Sequence, residues 1–232
     1  RIINQNDPVD CIKTLKRHKF LIKSLAFHAD PDCYFDYFST RFRGNISLTG
    51  DLTPSNALIS EATIGWVRSE FLSRDIRCAA LLVLRDPVER FWSAIRMIRR
   101  KQPERWAHIS EDDHLLMSLN REDFYQRGAY ADIIKNIKSS FPESDTRIML
   151  YEELTQHEHV FHGLCDFLGL SPFSPRLDVR ENSSPKNASI RDETIRLLAE
   201  RHETSYQAAI DVFGQDKIRK HWPGIRYLEG SQ

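Results

Sequence analysis

Residues 78–84, CAALLVL, form an unbroken apolar run that stops at Arg-Asp-Pro (85–87). A strand with one solvated face alternates apolar and polar residues. A run without polar positions predicts a strand covered on both faces, as in a parallel sheet. The pattern then changes at once. Asp86 is a natural N-cap, Pro87 suits the first helical position, and Glu89 stands where the acidic member of a capping box belongs. A buried strand feeding directly into a helix is half of a βαβ unit, so this stretch commits the chain to an α/β architecture.

The rest of the chain is read around that junction. Residues 11–28 carry apolar positions at helical spacing among basic ones, and 30–42 are aromatic-rich and predict a turn into a second helix. ISLTGD (46–51) predicts a short strand. A helix is expected over about 54–73, with Thr53 as N-cap and Pro54 at its first position. Residues 129–141 predict an amphipathic helix stopped by Pro142, and RIMLYEEL (147–154) a strand leading to a second capping box, Thr155 with Glu158. The next helix should end at Gly169. A long polar loop covers 171–189, then two helices cover about 190–202 and 203–213, before a tail carrying Trp222. The expected fold is α/β, a three-layer arrangement with a mostly parallel central sheet flanked by helices, in one domain over 1–232. Three strands are few for a doubly wound sheet, so a further strand is expected before residue 1, and the domain is expected to be incomplete at its N-terminus.

Composition narrows the function. Lys+Arg and Asp+Glu both number 33, so the formal net charge is zero, which argues against a nucleic-acid coat. No apolar run approaches the ~20 residues of a membrane span, and no signal-peptide pattern is visible. Cys11, Cys33, Cys78 and Cys165 are widely spaced and form no CxxC, which favours packed thiols in a reducing compartment over a disulfide framework. The nine histidines make no H-x-x-x-H or H-E-x-x-H pattern. His157, His159 and His162 share one helix without a carboxylate at ligand spacing, so no metal is expected. The basic run 96–105 reads as a solvated helix end, with a landing patch for an anionic acceptor as the alternative.

Arg85 is the residue that points to chemistry. In open α/β sheets, ligands bind beyond the carboxyl ends of the strands. There Arg85 would meet the N-terminus of the next helix, with its unpaired N–H groups and positive dipole end. Ser93 falls two turns along that helix. A guanidinium fork plus a hydroxyl makes a phosphate receiver. The competing reading pairs Arg85 with Glu89 or Asp86 and leaves Ser93 facing solvent.

LLVLRDPVERFWSAI (81–95) resembles the 3′-phosphate-binding segment of sulfotransferases that use 3′-phosphoadenosine-5′-phosphosulfate (PAPS): a strand, Arg-Asp/Asn-Pro, then Ser eight residues after the Arg. Other pieces follow in that family's order. GDLTPSNAL (50–58) resembles its Gly-Glu-x-Thr-Pro-x-Tyr segment, RGAYADIIKNIKSSFP (127–142) its Gly-x-Tyr helix, and RIMLYEEL its Tyr-Glu-Asp-Leu strand. FLGLSPF (167–173) resembles its Phe-Leu-Gly-Leu ending, and ENSSPKNAS (181–189) its cofactor-covering loop. The resemblance spans roughly 46–225 and is nearest to the bacterial and Golgi carbohydrate-type members. The family's Gly- and Lys-rich phosphosulfate loop and the segment following it have no counterpart here. Truncation before residue 1 is the simpler expectation, with a degenerate member as the alternative.

The resemblance implies a P-loop-like fold that transfers a sulfuryl group from PAPS, releasing 3′,5′-ADP (PAP), to a hydroxyl or amine of an acceptor, with carbohydrate a candidate. It implies a 3′-phosphate clamp of Arg85 and Ser93. Arg127, Gly128 and Tyr130 would lie on the adenine side, where helix packing is the competing role for Tyr130. Ser184, Lys186 and Asn187, with Ser183, would fold over the cofactor phosphates, a solvated surface lysine being the alternative for Lys186. Asp51, where the family has Glu, is the candidate general base, or else a cap of the Thr53-Pro54 turn. Small-molecule acceptors, no nucleic acid, and a bacterial cytoplasm rather than a Golgi lumen are expected. The rivals are a P-loop kinase-like phosphotransferase and a PAP-binding protein without turnover.

Overall fold

The computed structural model describes residues 8–179 and 189–229, with side chains for all of these except 8–17 and 20. Two compact units divide the chain, Arg1–Leu52 with Ser69–Arg77, and Thr53–Arg68 with Cys78–Gln232.

The first unit contains α1 (Pro8–Ala29) and α2 (Asp32–Ser39), turned around Asp30 and Pro31. Its packing is aromatic. Phe35, Phe38 and Phe71 are buried. Tyr34 meets Phe35, Phe38 and Phe71 edge-on or tilted at centroid distances of 4.9–6.2 Å, an arrangement that exploits opposed ring-edge and ring-face charge. The expected strand at 46–51 does not form; these residues are irregular. Their alternation has no neighbouring strand to pair with among the described residues, and an isolated strand leaves its backbone groups unmet.

The helix expected over 54–73 is divided. Pro54–Leu58 is a 3-10 turn, and α3 (Glu61–Leu72) starts afresh beyond it. Thr53 makes no side-chain cap bond to that turn. Residues 61–68 of α3 belong to the second unit and 69–72 to the first.

The second unit is built around two parallel strands, β1 (Ala80–Leu84) and β2 (Thr146–Leu150), in register from Ala80 opposite Thr146 to Leu84 opposite Leu150. Between them run α4 (Pro87–Lys101), α5 (Pro103–Trp106), α6 (Glu111–Ser118), α7 (Glu122–Tyr125) and α8 (Tyr130–Ser140), as parallel pairing requires a crossover. After β2 come α9 (Tyr151–Leu154), α10 (Glu158–Leu168), α11 (Asp192–Arg201), α12 (Glu203–Phe213), α13 (Gln215–His221) and α14 (Arg226–Glu229). The expected α/β character holds as a helix-rich unit with a small parallel sheet. The described residues contain a two-stranded sheet and no three-layer arrangement. Leu84 is fully buried, Ala80, Leu81 and Leu82 are half-buried and Val83 is 38% exposed, so β1 is not buried throughout on both faces as its unbroken apolar run suggested.

Leu84, Phe91, Ile95, Leu150, Leu198 and Trp222 are fully buried together, each contributing about 1.5–3 kcal/mol of transfer free energy. Residues 151–154, the end of the strand expected over 147–154, form α9. The second capping box is also absent: His157 stands at the N-cap of α10, and Thr155 donates back to the Tyr151 carbonyl at 2.9 Å. Gly169 ends α10 at φ 68°, the left-handed region that glycine enters at no steric cost. Cys33, Cys78 and Cys165 are free thiols.

Candidate functional site

The β1–α4 junction is positioned by local chemistry. Asp86 caps α4 by accepting from Val88 N–H at 2.8 Å and Glu89 N–H at 3.2 Å. Pro87 has no N–H to satisfy, and Arg90 N–H bonds the Asp86 carbonyl at 2.8 Å. The first-turn donors of α4 are therefore all used within the protein. This corrects the expectation of unpaired N–H groups waiting for an anion. Any anion at this end depends on side chains.

Asp86 does more than cap. It is fully buried, and it also accepts from Tyr206 Oη at 2.9 Å and Gly224 N–H at 2.8 Å. Its own N–H donates to Glu152 Oε1 at 3.4 Å, and Glu152 Oε2 accepts from Trp222 Nε1 at 3.2 Å. Burial raises the Asp86 carboxyl above its ordinary value, opposed by the hydrogen bonds from Gly224, Tyr206, Glu89 and Val88. Gly224 is obligatory here: a Cβ would lie 2.0 Å from Tyr206 Oη and 3.1 Å from Asp86 Oδ2. Glu152, Tyr206 and Gly224 form this frame and carry no local sequence signal.

Arg85 leaves the end of β1 with its side chain 27% exposed, and its Nη2 lies 3.3 Å from Glu89 Oε2. Its guanidinium carbon stands 5.2 Å from the Tyr151 ring centroid. Pairing with Glu89, the competing reading of Arg85, is thus present. Ser93 is half-buried one turn beyond Glu89.

Arg96, one further turn along, was read as part of a solvated helix end. It is instead 7% exposed, with its guanidinium carbon 4.6 Å from the Trp92 ring centroid. Burial lowers its pKa, Glu89 and Glu111 oppose that, and Arg85 adds repulsion. Arg85, Glu89 and Arg96 therefore share one electrostatic neighbourhood. Residues 89, 93 and 96 fall at i, i+4 and i+7, one face of α4. Nothing in the spacing marked Arg96 apart from its basic neighbours.

Tyr130 and Gly128 are both buried. Tyr130 Oη donates to the Arg85 carbonyl at 2.8 Å and its N–H donates to Ser205 Oγ at 3.1 Å. Burial pushes its phenol up to about 12. Its hydroxyl thereby holds the backbone of Arg85 in place. Gly128 does permit a close approach, by protein groups: a Cβ there would lie 2.8 Å from both Arg90 Nη2 and His202 Nε2. Arg127 is exposed. Asp51 lies in the first unit, exposed, and accepts from Tyr34 Oη at 3.3 Å. Ser184, Lys186 and Asn187 lie outside the described residues, as does Ser183.

Among the described residues no group of three or more His, Cys, Asp or Glu is gathered to hold a metal ion, and no helix is long and apolar enough to cross a membrane.

No protein-family model matches the chain. No curated protein matches it either. Among solved structures, a sulfotransferase from Alicyclobacillus acidocaldarius aligns over 65% of this chain and 60% of its own, at 17% sequence identity and a TM-score of 0.48. The chain thus spans less than two thirds of that neighbour.

Proposed function

We propose that the chain is a sulfotransferase that takes its sulfuryl group from PAPS and passes it to a hydroxyl or amine, with Arg85 and Ser93 receiving the donor's 3′-phosphate. The observation that carries the reading is Arg85 itself. It is a partly exposed guanidinium at the carboxyl end of a parallel strand, with a half-buried serine on the helix that follows. The ordered motif series from residue 46 to 225 supports the same family.

Sulfuryl transfer is an in-line displacement. The acceptor oxygen or nitrogen bonds to sulfur while the bond from sulfur to the phosphate oxygen breaks, the electron pair leaving with the phosphate. The acceptor's proton passes to a base. Catalysis of such a loose displacement is largely positioning and charge stabilisation. In this chain Arg85 and Ser93 would bind and orient, and Arg96 would add positive potential on the same helix face. Tyr130 and Asp86 act through Arg85, one holding its carbonyl and the other the first turn of α4. Asp51 is the proposed base, with Arg127 and the 184–187 segment as further donor contacts. A carbohydrate is the acceptor class proposed.

Labelled PAPS incubated with the full chain and a panel of carbohydrate hydroxyl and amine acceptors tests this. Transfer that is lost in Arg85→Ala and reduced in Ser93→Ala supports the reading. PAP binding without transfer to any acceptor favours the non-catalytic alternative. Failure to bind PAP at all removes the proposal.

A further inference from the structure

The first unit carries a second concentration of positive charge, centred on an aromatic ring. Lys23 Nζ, from α1, stands 4.0 Å from the centroid of Tyr37. The guanidinium carbon of Arg41 stands 4.4 Å from the same centroid, and Arg41 Nη2 donates to the Tyr37 hydroxyl. Arg43 follows two residues on. Tyr37, Thr40, Arg41, Arg43 and Ile46 line an open hollow of about 390 Å³.

Among the described residues no carboxylate is ion-paired with Lys23, Arg41 or Arg43. Asp32, at the start of α2, is 3.0 Å from Arg74 instead. The negative C-terminal end of α2 accounts for cations immediately after it. It does not account for Lys23, which arrives from a different helix to the same ring. Cation–π attraction gathers the charges on the ring, while their mutual repulsion is left for something else to neutralise. The phenol responds: hydrogen bonding to Lys23 lowers its pKa most, burial opposes that, and the charges of Lys23 and Arg41 with the Arg41 hydrogen bond add to the lowering.

We propose that this hollow is an oxyanion site, in which Arg41 and Arg43 receive a phosphoryl or sulfuryl group of a ligand, Lys23 adds positive charge beside the Tyr37 ring, and the ring and Ile46 contact the part of the molecule that bears it. Guanidinium forks match the tetrahedral oxyanion, and the hollow has room for more than the anion. The site lies wholly within the first unit and does not depend on the chemistry proposed at Arg85.

The test uses inorganic pyrophosphate and inorganic sulfate as probes, at constant ionic strength, on the full chain carrying Arg85→Ala so that the other anion site is silent. The phenol titration of Tyr37 is isolated by difference from a Tyr37→Phe partner. A bound anion offsets the cations, so the Tyr37 titration should move upward on adding either probe. Arg41→Gln with Arg43→Gln should weaken binding ~5-fold or more, with helical content unchanged by circular dichroism. Response to pyrophosphate alone would assign a phosphoryl ligand, and response to sulfate alone a sulfuryl one. A Tyr37 titration unmoved by both probes, or equal affinity in the double variant, overturns the proposal.

Discussion

Arg85 and Glu89 set the terms on which an anion can bind. Their i,i+4 ion pair at 3.3 Å, with side chains 27% and 19% exposed, is worth a fraction of a kcal/mol, as such pairs are. An arriving phosphate must share Arg85 with that carboxylate. Replacing Glu89 by Gln should therefore tighten PAP binding ~2- to 5-fold, read by calorimetry; weaker binding would mean that Glu89 orients Arg85 rather than competing for it. Gly224 answers to packing alone. Gly224→Ala drives a methyl into Tyr206 Oη and breaks the Tyr206–Asp86 bond, so chemical denaturation should show a loss of ~3 kcal/mol or more. The two residues differ in how readable they were. Arg85 announced itself because a charge at the end of an apolar run is locally conspicuous. Gly224 did not, because its reason lies 138 residues away at Asp86.

Helix α4 shows what local sequence can specify. Asp86 and Pro87 marked its start correctly, because capping depends on residues within one turn of each other, whereas the capping box is not completed: Glu89 pairs with Arg85 and the Asp86 N–H donates to Glu152. The structure adds that the cap is also a junction, where Tyr206 and Gly224 converge on the same carboxylate. Asp86→Ala should accordingly cost ~3 kcal/mol or more in urea unfolding, beyond the ~1 kcal/mol typical of a cap, because buried donors on Tyr206 and Gly224 lose their acceptor. A loss of only ~1 kcal/mol would reduce Asp86 to an ordinary cap. Elsewhere the local signals misled for a physical reason. Residues 46–51 alternate like a strand, yet pairing is a non-local condition that alternation cannot supply. Thr155 and Glu158 have capping-box spacing, but the Thr155 hydroxyl back-bonds to Tyr151 and the helix begins later.

At the scale of the whole molecule, stability of the second unit should depend on His202. It is fully buried, its Nδ1 lies 3.0 Å from the Leu198 carbonyl, and Nε2 has no partner among the described residues. Burial, with Arg90 and Arg201 nearby, brings its pKa from 6.5 down to about 4. The unfolded chain then takes up a proton near pH 6.5 that the folded chain refuses until about pH 4. Stability is full above the higher value and is lost as pH falls through the window, by about 3 kcal/mol in all. Denaturation midpoints measured from pH 7 to pH 4 should fall, and His202→Gln should flatten that slope; an unchanged slope would place the acid sensitivity elsewhere. The α/β class was legible from one strand–helix junction, whereas the division into two units and the two-strand extent of the sheet among the described residues depend on long-range contacts with no local signature. Asp51 belongs to the first unit and Arg85 to the second, and recognition of the donor's 3′-phosphate by Arg85 is the claim on which the functional reading stands. Calorimetry of PAP and of 5′-AMP, which lacks the 3′-phosphate, with the parent chain and with Arg85→Ala tests it directly. The parent should prefer PAP by ~2 kcal/mol, about 30-fold, and Arg85→Ala should bind the two nucleotides nearly alike. A preference that survives the loss of Arg85 unchanged would contradict the account.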